Sequence, residues 1–206
     1  MISIIHPKNP DKRKVKEVVN YLKSGGVIIY PTDTVYAFGC DAFNKKALEK
    51  ICRIKKVNVK KHNFSFVCYD LSHISKYTKH LSNPVYKLMK KVLPGPFTFI
   101  LQANNNIPKF FKNKKREIGI RVPNNNIART IVRELGSPMA TTSIKDKDEI
   151  LEYSTDPELI HQYYINQVEI VIDGGYGENI PSTIINCIEN IPKIERQGKG
   201  EITQFL

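Results

Sequence analysis

Four consecutive apolar residues, Val27-Ile28-Ile29-Tyr30, stop at Pro31 and open into a loop dense in hydroxyls, Thr32, Thr34 and Tyr36. A β-branched run of this kind belongs in a buried strand. Proline has no N–H to give a ladder and ends it. In α/β sheets ligands are met at the carboxyl ends of strands, where a loop aims side chains without ladder hydrogen bonds. The stretch from Val27 to Asp41 therefore predicts a central strand and a ligand-facing loop, with Gly39 free to turn or to admit a ligand close to the backbone. An ordinary strand and turn has the same spacing.

Helix and strand periods alternate around this stretch. Asp11 is a helix N-cap ahead of Val15, Val18, Val19 and Leu22, which fall on one face before Ser24-Gly25-Gly26. Asn44 caps a second helix carrying Ala47, Leu48 and Ile51, and its exit from Arg53 to His62 is densely basic. Asp70 caps a short helix, Asn83-Pro84 starts another, and the asparagines after Pro123 start one bearing Ile127, Ile131 and Leu135. Asp156-Pro157 starts a last short helix. Strands are predicted at residues 3–5, 64–68, 97–101, 118–122, 169–173, 182–187 and 192–196. Met139 to Ser143 fits a small-residue strand or a loop. Strands alternate with helices early and cluster late, so the expected fold is α/β: one twisted mixed sheet with helices on its faces. A chain of 206 residues predicts a single domain over 1–206.

Formal charge is +12, from 32 Lys plus Arg against 20 Asp plus Glu. An excess of this size favours polyanionic partners or phosphorylated ligands, and a Lys- and Asn-rich compositional bias gives the same count. Cys40, Cys52, Cys68 and Cys187 lack metal-site spacing and predict small core residues in a reducing compartment. No signal segment or membrane-length apolar run is present, so the expected location is the cytoplasm, with no membrane partner. Lys109 to Arg116, KFFKNKKR, suits phosphate contact with base stacking, or a solvated loop with Phe110 and Phe111 tucked onto the core. Arg121 is the oddity: a charge inside an apolar strand either faces solvent or reaches an anion in a cleft.

Taken in order, the motifs Tyr30-Pro31-Thr32-Asp33-Thr34-Val35-Tyr36, Lys55 at a helix exit, Leu93-Pro94-Gly95-Pro96-Phe97-Thr98, Ile120-Arg121-Val122-Pro123, Thr141-Thr142-Ser143, Ser182-Thr183 and Arg196 before Gly198 form a specific series. Over nearly the whole chain it resembles the YrdC-like threonylcarbamoyl-AMP synthase family, and the segments ICRIKK and HNFSFVCYDLS resemble its YciO branch. The resemblance implies a twisted α/β domain around a basic concave cavity, without the C-terminal extension of longer relatives. It implies condensation of L-threonine, bicarbonate and ATP into threonylcarbamoyl-adenylate and pyrophosphate, with Mg²⁺ accompanying ATP and no tightly bound cofactor. That product leads to a tRNA modification, and founding members were also described as binders of double-stranded RNA.

Carried over by position, Thr34, with Thr32 beside it, contacts the amino acid and Arg121 pairs with its carboxylate. Asn63, Thr141, Ser143 and Ser182 supply hydrogen bonds, Lys55 sits at the nucleotide phosphates, and Arg196 reaches the nucleotide. Lys55, Arg121 and Ser143 are the expected catalytic set, acting by positioning and charge neutralisation rather than as nucleophiles. The chain also departs from the family. Its Lys-x-Arg motif appears as Lys55-Lys56-Val57, its Ser-x-Asn as Ser143-Ile144-Lys145, and Cys68 replaces a frequent histidine. Loss of that arginine removes a charge-assisted contact of roughly 1.5 to 3 kcal/mol; Lys145, or the run Lys56, Lys60 and Lys61, is expected to restore charge at the nucleotide but not the bidentate geometry. Three functions follow: a synthase, a nucleotide- or RNA-binding protein of the same fold, or an enzyme of another acyl or carbamoyl adenylate.

Overall fold

In the computed structural model the described residues are 1–59, 62–111, 116–144, 155–189 and 191–202. The chain runs β1 (Ile2–Ile4), α1 (Lys12–Lys23), β2 (Ile28–Tyr30), β3 (Ala37–Asp41), α2 (Lys45–Ile54), β4 (Ser65–Val67), α3 (Leu71–Ser75), α4 (Asn83–Val92) and β5 (Phe97–Gln102). It continues through a 3-10 turn at Lys109–Phe111 to β6 (Glu117–Arg121), α5 (Asn126–Leu135), β7 (Met139–Ser143), α6 (Pro157–Tyr163), β8 (Ile170–Asp173), β9 (Thr183–Asn186) and β10 (Lys193–Arg196). Among the described residues the strands form one sheet in the order β1-β8-β2-β3-β7-β4-β6-β5-β9-β10. It is mixed: β1, β8 and β2 are parallel, as are β4 with β6 and β5 with β9, and the other neighbours are antiparallel.

The helices start where their caps predict. Asp11 accepts from the Lys14 N–H at 2.9 Å, and Asn44 and Asn125 accept from Ala47 and Ala128, each at 3.0 Å. One cap differs from expectation: Ser82 is the N-cap of α4, and Asn83 is already its first helical residue. The exit of α2 closes with Lys56 at φ 54°, its N–H bonded to Arg53 O and that of Val57 to Cys52 O. This reciprocal pair is the Schellman arrangement, which carries the last orphan carbonyls of the helix. It turns Val57 onto the core as a half-buried side chain. Phe110 and Phe111 also pack there, Phe111 edge-on to Phe66 at 4.9 Å, so the core-packed reading of KFFKNKKR holds for its described residues. Residues 60–61, 112–115 and 145 lie outside the described set.

Side-chain alternation divides the sheet into two faces. Ile29, Phe38, Cys40, Phe66, Phe99, Ile120, Ala140, Val171 and Ile185 point one way, under the apolar faces of α2, α4 and α6. Ile28, Tyr30, Ala37, Val67, Met139, Ile170 and Ile172 point the other way, under α1 and α5, which pack on each other. The cysteines are buried free thiols in the first of these layers, as expected.

Sequence periodicity did not reveal β3. The stretch after Pro31, expected to continue as loop, is a hairpin connection, and Ala37–Asp41 pairs back on β2 with Gly39 opposite Ile28. Gly39 is therefore in mid-strand, neither a turn nor a ligand approach. Its missing side chain makes room for neighbours, since a Cβ there would lie 2.8 Å from Met139 Sδ and 2.9 Å from Tyr30 Cε1. Gly39→Ala is expected to cost about 1–3 kcal/mol by overpacking, measured by urea denaturation.

His73 in α3 is 1% exposed, stacks on Tyr69 at 4.4 Å, and neither ring nitrogen has a hydrogen-bond partner among the described residues. Burial, then the charge of Lys76, lowers its pKa from 6.5 to about 4. Folded His73 stays neutral down to that pH, while the unfolded chain takes up the proton near 6.5, so the unfolded state binds more protons in between. Stability is expected to be intact above pH 6.5 and to fall by roughly 3 kcal/mol on acidification to pH 4. His73→Phe should flatten that limb of a stability–pH curve.

Candidate functional site

Among the described residues, the second face of the sheet is covered by helices only at one end. Beyond Met139 and Val67 the same face carries Thr141 and Ser143 on β7, Ser65 on β4, Arg121 on β6, Thr98 on β5 and Ile184 on β9. With Asn63, Thr142, Ser182 and Arg196 these residues line a cleft of about 190 Å³, walled by Val35, Ala37 and Pro181. The polar residues occupy strand positions that alternate with core ones: Ser65 precedes Phe66, Thr98 lies between Phe97 and Phe99, and Thr141 follows Ala140. One covered and one open half-face are the normal pattern for antiparallel strands, and here the half not covered by a described helix forms the cleft.

Arg121 is the last residue of β6 and is 8% exposed. Its Nη2 donates to Asp33 Oδ1 at 2.8 Å and to Thr34 Oγ1 at 3.1 Å, and Nε is buried with no partner among the described residues. The anion that sequence analysis required for this arginine is thus first of all internal. Asp33 is itself fixed: Oδ2 accepts from the Asn124 N–H at 2.9 Å and its carbonyl accepts from Lys199 Nζ at 2.9 Å. Lys199 also pairs with Glu178 at 2.6 Å.

The hydroxyls behind Arg121 have a determined order. Thr32 Oγ1 donates to Val35 O at 2.8 Å and accepts from the Thr34 N–H at 3.0 Å. With its one proton committed, Thr32 accepts from Thr34 Oγ1 at 3.1 Å, so Thr34 accepts from Arg121. Thr32 and Thr34 do not line the cleft; they stand behind its arginine. A similar order holds on β7. Thr141 Oγ1 donates to Phe38 O at 3.0 Å, so the Tyr30 hydroxyl, 2.7 Å away, donates to Thr141. Burial pushes the Tyr30 pKa up to about 12, which keeps that donor protonated.

Arg196 stands at the rim, with Nη2 on Ser182 O at 2.7 Å, and Ser182 Oγ meets Thr98 Oγ1 at 2.8 Å. Loss of water around it, then the like charge of Arg121, lowers the Arg196 pKa, so the two guanidinium groups feel each other. Lys55 caps α2 and places Nζ 2.9 Å from Ser143 O, which sets its charge at the end of β7 rather than on the cleft wall. His62 Nε2 lies 3.0 Å from Thr142 Oγ1. Asn63, Arg121, Thr141, Ser143, Ser182 and Arg196 are therefore gathered, with Lys55 adjoining, while Lys145 lies outside the described residues.

Asp33, Lys199, Ser65, Thr98 and Thr142 were not singled out from the sequence. Asp33 had a signal: a buried arginine demands a counter-charge, and the polar loop beside the central strand holds one acid. Among the described residues no group of three His, Cys, Asp or Glu could hold a metal, and the cleft lining has no carboxylate. These described residues do not fit a resident Mg²⁺.

The family model for Sua5, YciO and YrdC proteins, described as telomere recombination, matches residues 20–198. YciO of Escherichia coli K12 is 40% identical over 204 residues, covering 98% of this chain and 97% of that protein. The crystal structure of E. coli YciO superposes with a TM-score of 0.91, covering 100% of this chain and 99% of that one. A putative threonylcarbamoyl-AMP synthase of Methanocaldococcus jannaschii is 34% identical over 187 residues, 88% of this chain and 84% of that protein. Sua5 of P. abyssi, crystallised with L-threonine, has a TM-score of 0.85 at 22% identity, over 96% of this chain and 57% of that one, a likeness of fold. Among the described residues no helix is long and apolar enough to cross a membrane.

Removing Arg121 leaves Asp33 buried without its counter-charge. Arg121→Ala is expected to cost about 3 kcal/mol, and adding Asp33→Asn should recover part of it, as denaturation of both variants would reveal.

Proposed function

This chain belongs to the Sua5/YciO/YrdC family, and we propose that it condenses L-threonine, bicarbonate and ATP into threonylcarbamoyl-AMP and pyrophosphate, the adenylate used in threonylcarbamoyl modification of tRNA. The observation that carries this reading is the convergence of Asn63, Arg121, Thr141, Ser143, Ser182 and Arg196 on one cleft. Support also comes from the M. jannaschii relative named as a putative synthase, and from L-threonine as the ligand of the Sua5 structure.

The chemistry suits a site with no side-chain nucleophile. The threonine nitrogen adds to the carbon supplied by bicarbonate, with loss of water, giving a carbamate. A carbamate oxygen then attacks the α-phosphorus of ATP, the bond to the β-phosphate oxygen breaks, and pyrophosphate leaves. Arg121 holds the threonine carboxylate, and hydroxyls of β7 and Ser182 orient the amino acid. Arg196, Lys55 and Lys145 offset charge on the nucleotide. These are tasks of positioning and electrostatic stabilisation.

A second reading has its own observation. Val57, at the position where the family motif has arginine, packs on the core, so one phosphate ligand is absent from this chain. A cleft with a weakened polyphosphate grip suits a nucleotide- or RNA-binding protein without synthesis. The readings separate on pyrophosphate release from the purified chain with ATP, threonine and bicarbonate, omitting each in turn. The synthase reading expects release that requires all three; release independent of threonine overturns it. Val57→Arg is expected to raise that rate about tenfold, the scale of one recovered charge-assisted contact.

A further inference from the structure

We propose that Asp33 is a positioning residue: it holds the Arg121 guanidinium by Nη2 so that the rest of the group is aimed at a carboxylate in the cleft. The inference rests on the reading of Arg121 as the carboxylate partner. The geometry distinguishes it from a pairing made for stability alone. Arginine and a carboxylate pair best as a parallel fork, Nε and Nη2 each on one oxygen. Asp33 does not do this. It gives Oδ1 to Nη2 and Oδ2 to the Asn124 N–H, while Thr34 takes the second Nη2 hydrogen. Both Nη2 hydrogens are thus taken up within the chain, and Arg121 lines the cleft with the rest of its guanidinium.

Asp33 is also held from behind. Lys199 donates to its carbonyl and pairs with Glu178, whose N–H donates to Thr34 O at 3.1 Å. The Pro31–Tyr36 loop is thereby fixed on both sides of the carboxylate, which restricts the aim of Arg121. Small misplacements of a binding group are costly because orientation is part of the affinity.

Charge alone makes the opposite prediction. Deleting a negative side chain beside an anion site removes repulsion and should tighten the anion. The sign of the effect therefore decides. Calorimetric titration of the full chain with L-threonine, and separately with ATP, would be run on the parent, Asp33→Asn, Thr34→Val, Arg121→Ala and Arg121→Lys. Asp33→Asn is expected to weaken threonine by about tenfold and leave ATP within about twofold, and to add nothing in the Arg121→Lys background, where no planar edge remains to be aimed. Thr34→Val keeps the ion pair intact and should weaken threonine about threefold, which serves as the deciding variant if Asp33→Asn does not fold. Threonine binding that is unchanged or tighter in the folded Asp33→Asn, or unchanged in Thr34→Val, overturns the positioning role. A parallel loss of threonine and ATP affinity assigns Asp33 to structure and overturns it too. Threonine binding that survives in Arg121→Ala removes instead the reading of Arg121 itself, and the inference with it.

Discussion

A charged side chain ends a strand whose other inward residues are apolar, and much of the site follows from how that charge is held. Arg121 closes β6 at 8% exposure, so its guanidinium must find donors' partners within the chain or in a ligand. The carboxylate that meets it comes from 88 residues earlier, in the link between β2 and β3. That contact ties the hairpin link to the start of α5 through the Asn124 N–H, and to the segment after β10 through Lys199. One ion pair thus brings together three parts of the chain that are distant in sequence. A buried pair contributes little net stability over an apolar replacement, yet breaking it is costly, so its value lies in specifying the arrangement.

The cleft is a consequence of uneven covering. Every strand from β3 to β9 gives one set of side chains to the layer under α2, α4 and α6. The opposite set meets α1 and α5 only near β2, β3 and β8 and the adjoining ends of β4 and β7. Beyond that boundary the strands change from Met139 and Val67 to Thr141, Ser143 and Ser65, in step with the alternation. Tyr30 spans the boundary. Its ring belongs to the covered half, and its hydroxyl donates to Thr141 in the open half. Core and site are therefore one continuous face, and the site residues stand on strands whose backbones are fixed by the ladder.

Helices were legible in the sequence because their information is local. Asp11, Asn44 and Asn125 each satisfy an N–H three residues ahead, and the buried positions of α1, α2 and α5 repeat at helical spacing. β3 was not, since Phe38-Gly39-Cys40 contains a glycine where a strand would ordinarily carry a side chain, and the reason for it sits on Tyr30 and Met139. The members of the cleft were legible only as an ordered series of motifs. Spacing marked Arg121 as anomalous, but nothing local says that Thr34 serves the arginine while Thr141 faces the cleft. The order of donors along Thr34, Thr32 and Val35 needs coordinates of all three groups.

Among the described residues, the charge excess of the chain has less to do with the cleft than its size suggests. At the exit of α2, Lys55 gives its ammonium to the Ser143 carbonyl, Lys56 occupies the left-handed position of the helix closure, and Val57 turns onto the core. That basic run is in large part the way the helix ends, where cations are favourable without any ligand. Among the described lining residues the cations are Arg121 and Arg196, and Asp33 offsets the first. Discrimination here must then come from where donors point more than from the field of a +12 molecule. A guanidinium pinned on one side, and hydroxyls whose protons are already assigned, form a rigid set of directions. Such a set selects a ligand by the placement of its polar groups, whereas a field alone would draw any anion of sufficient charge.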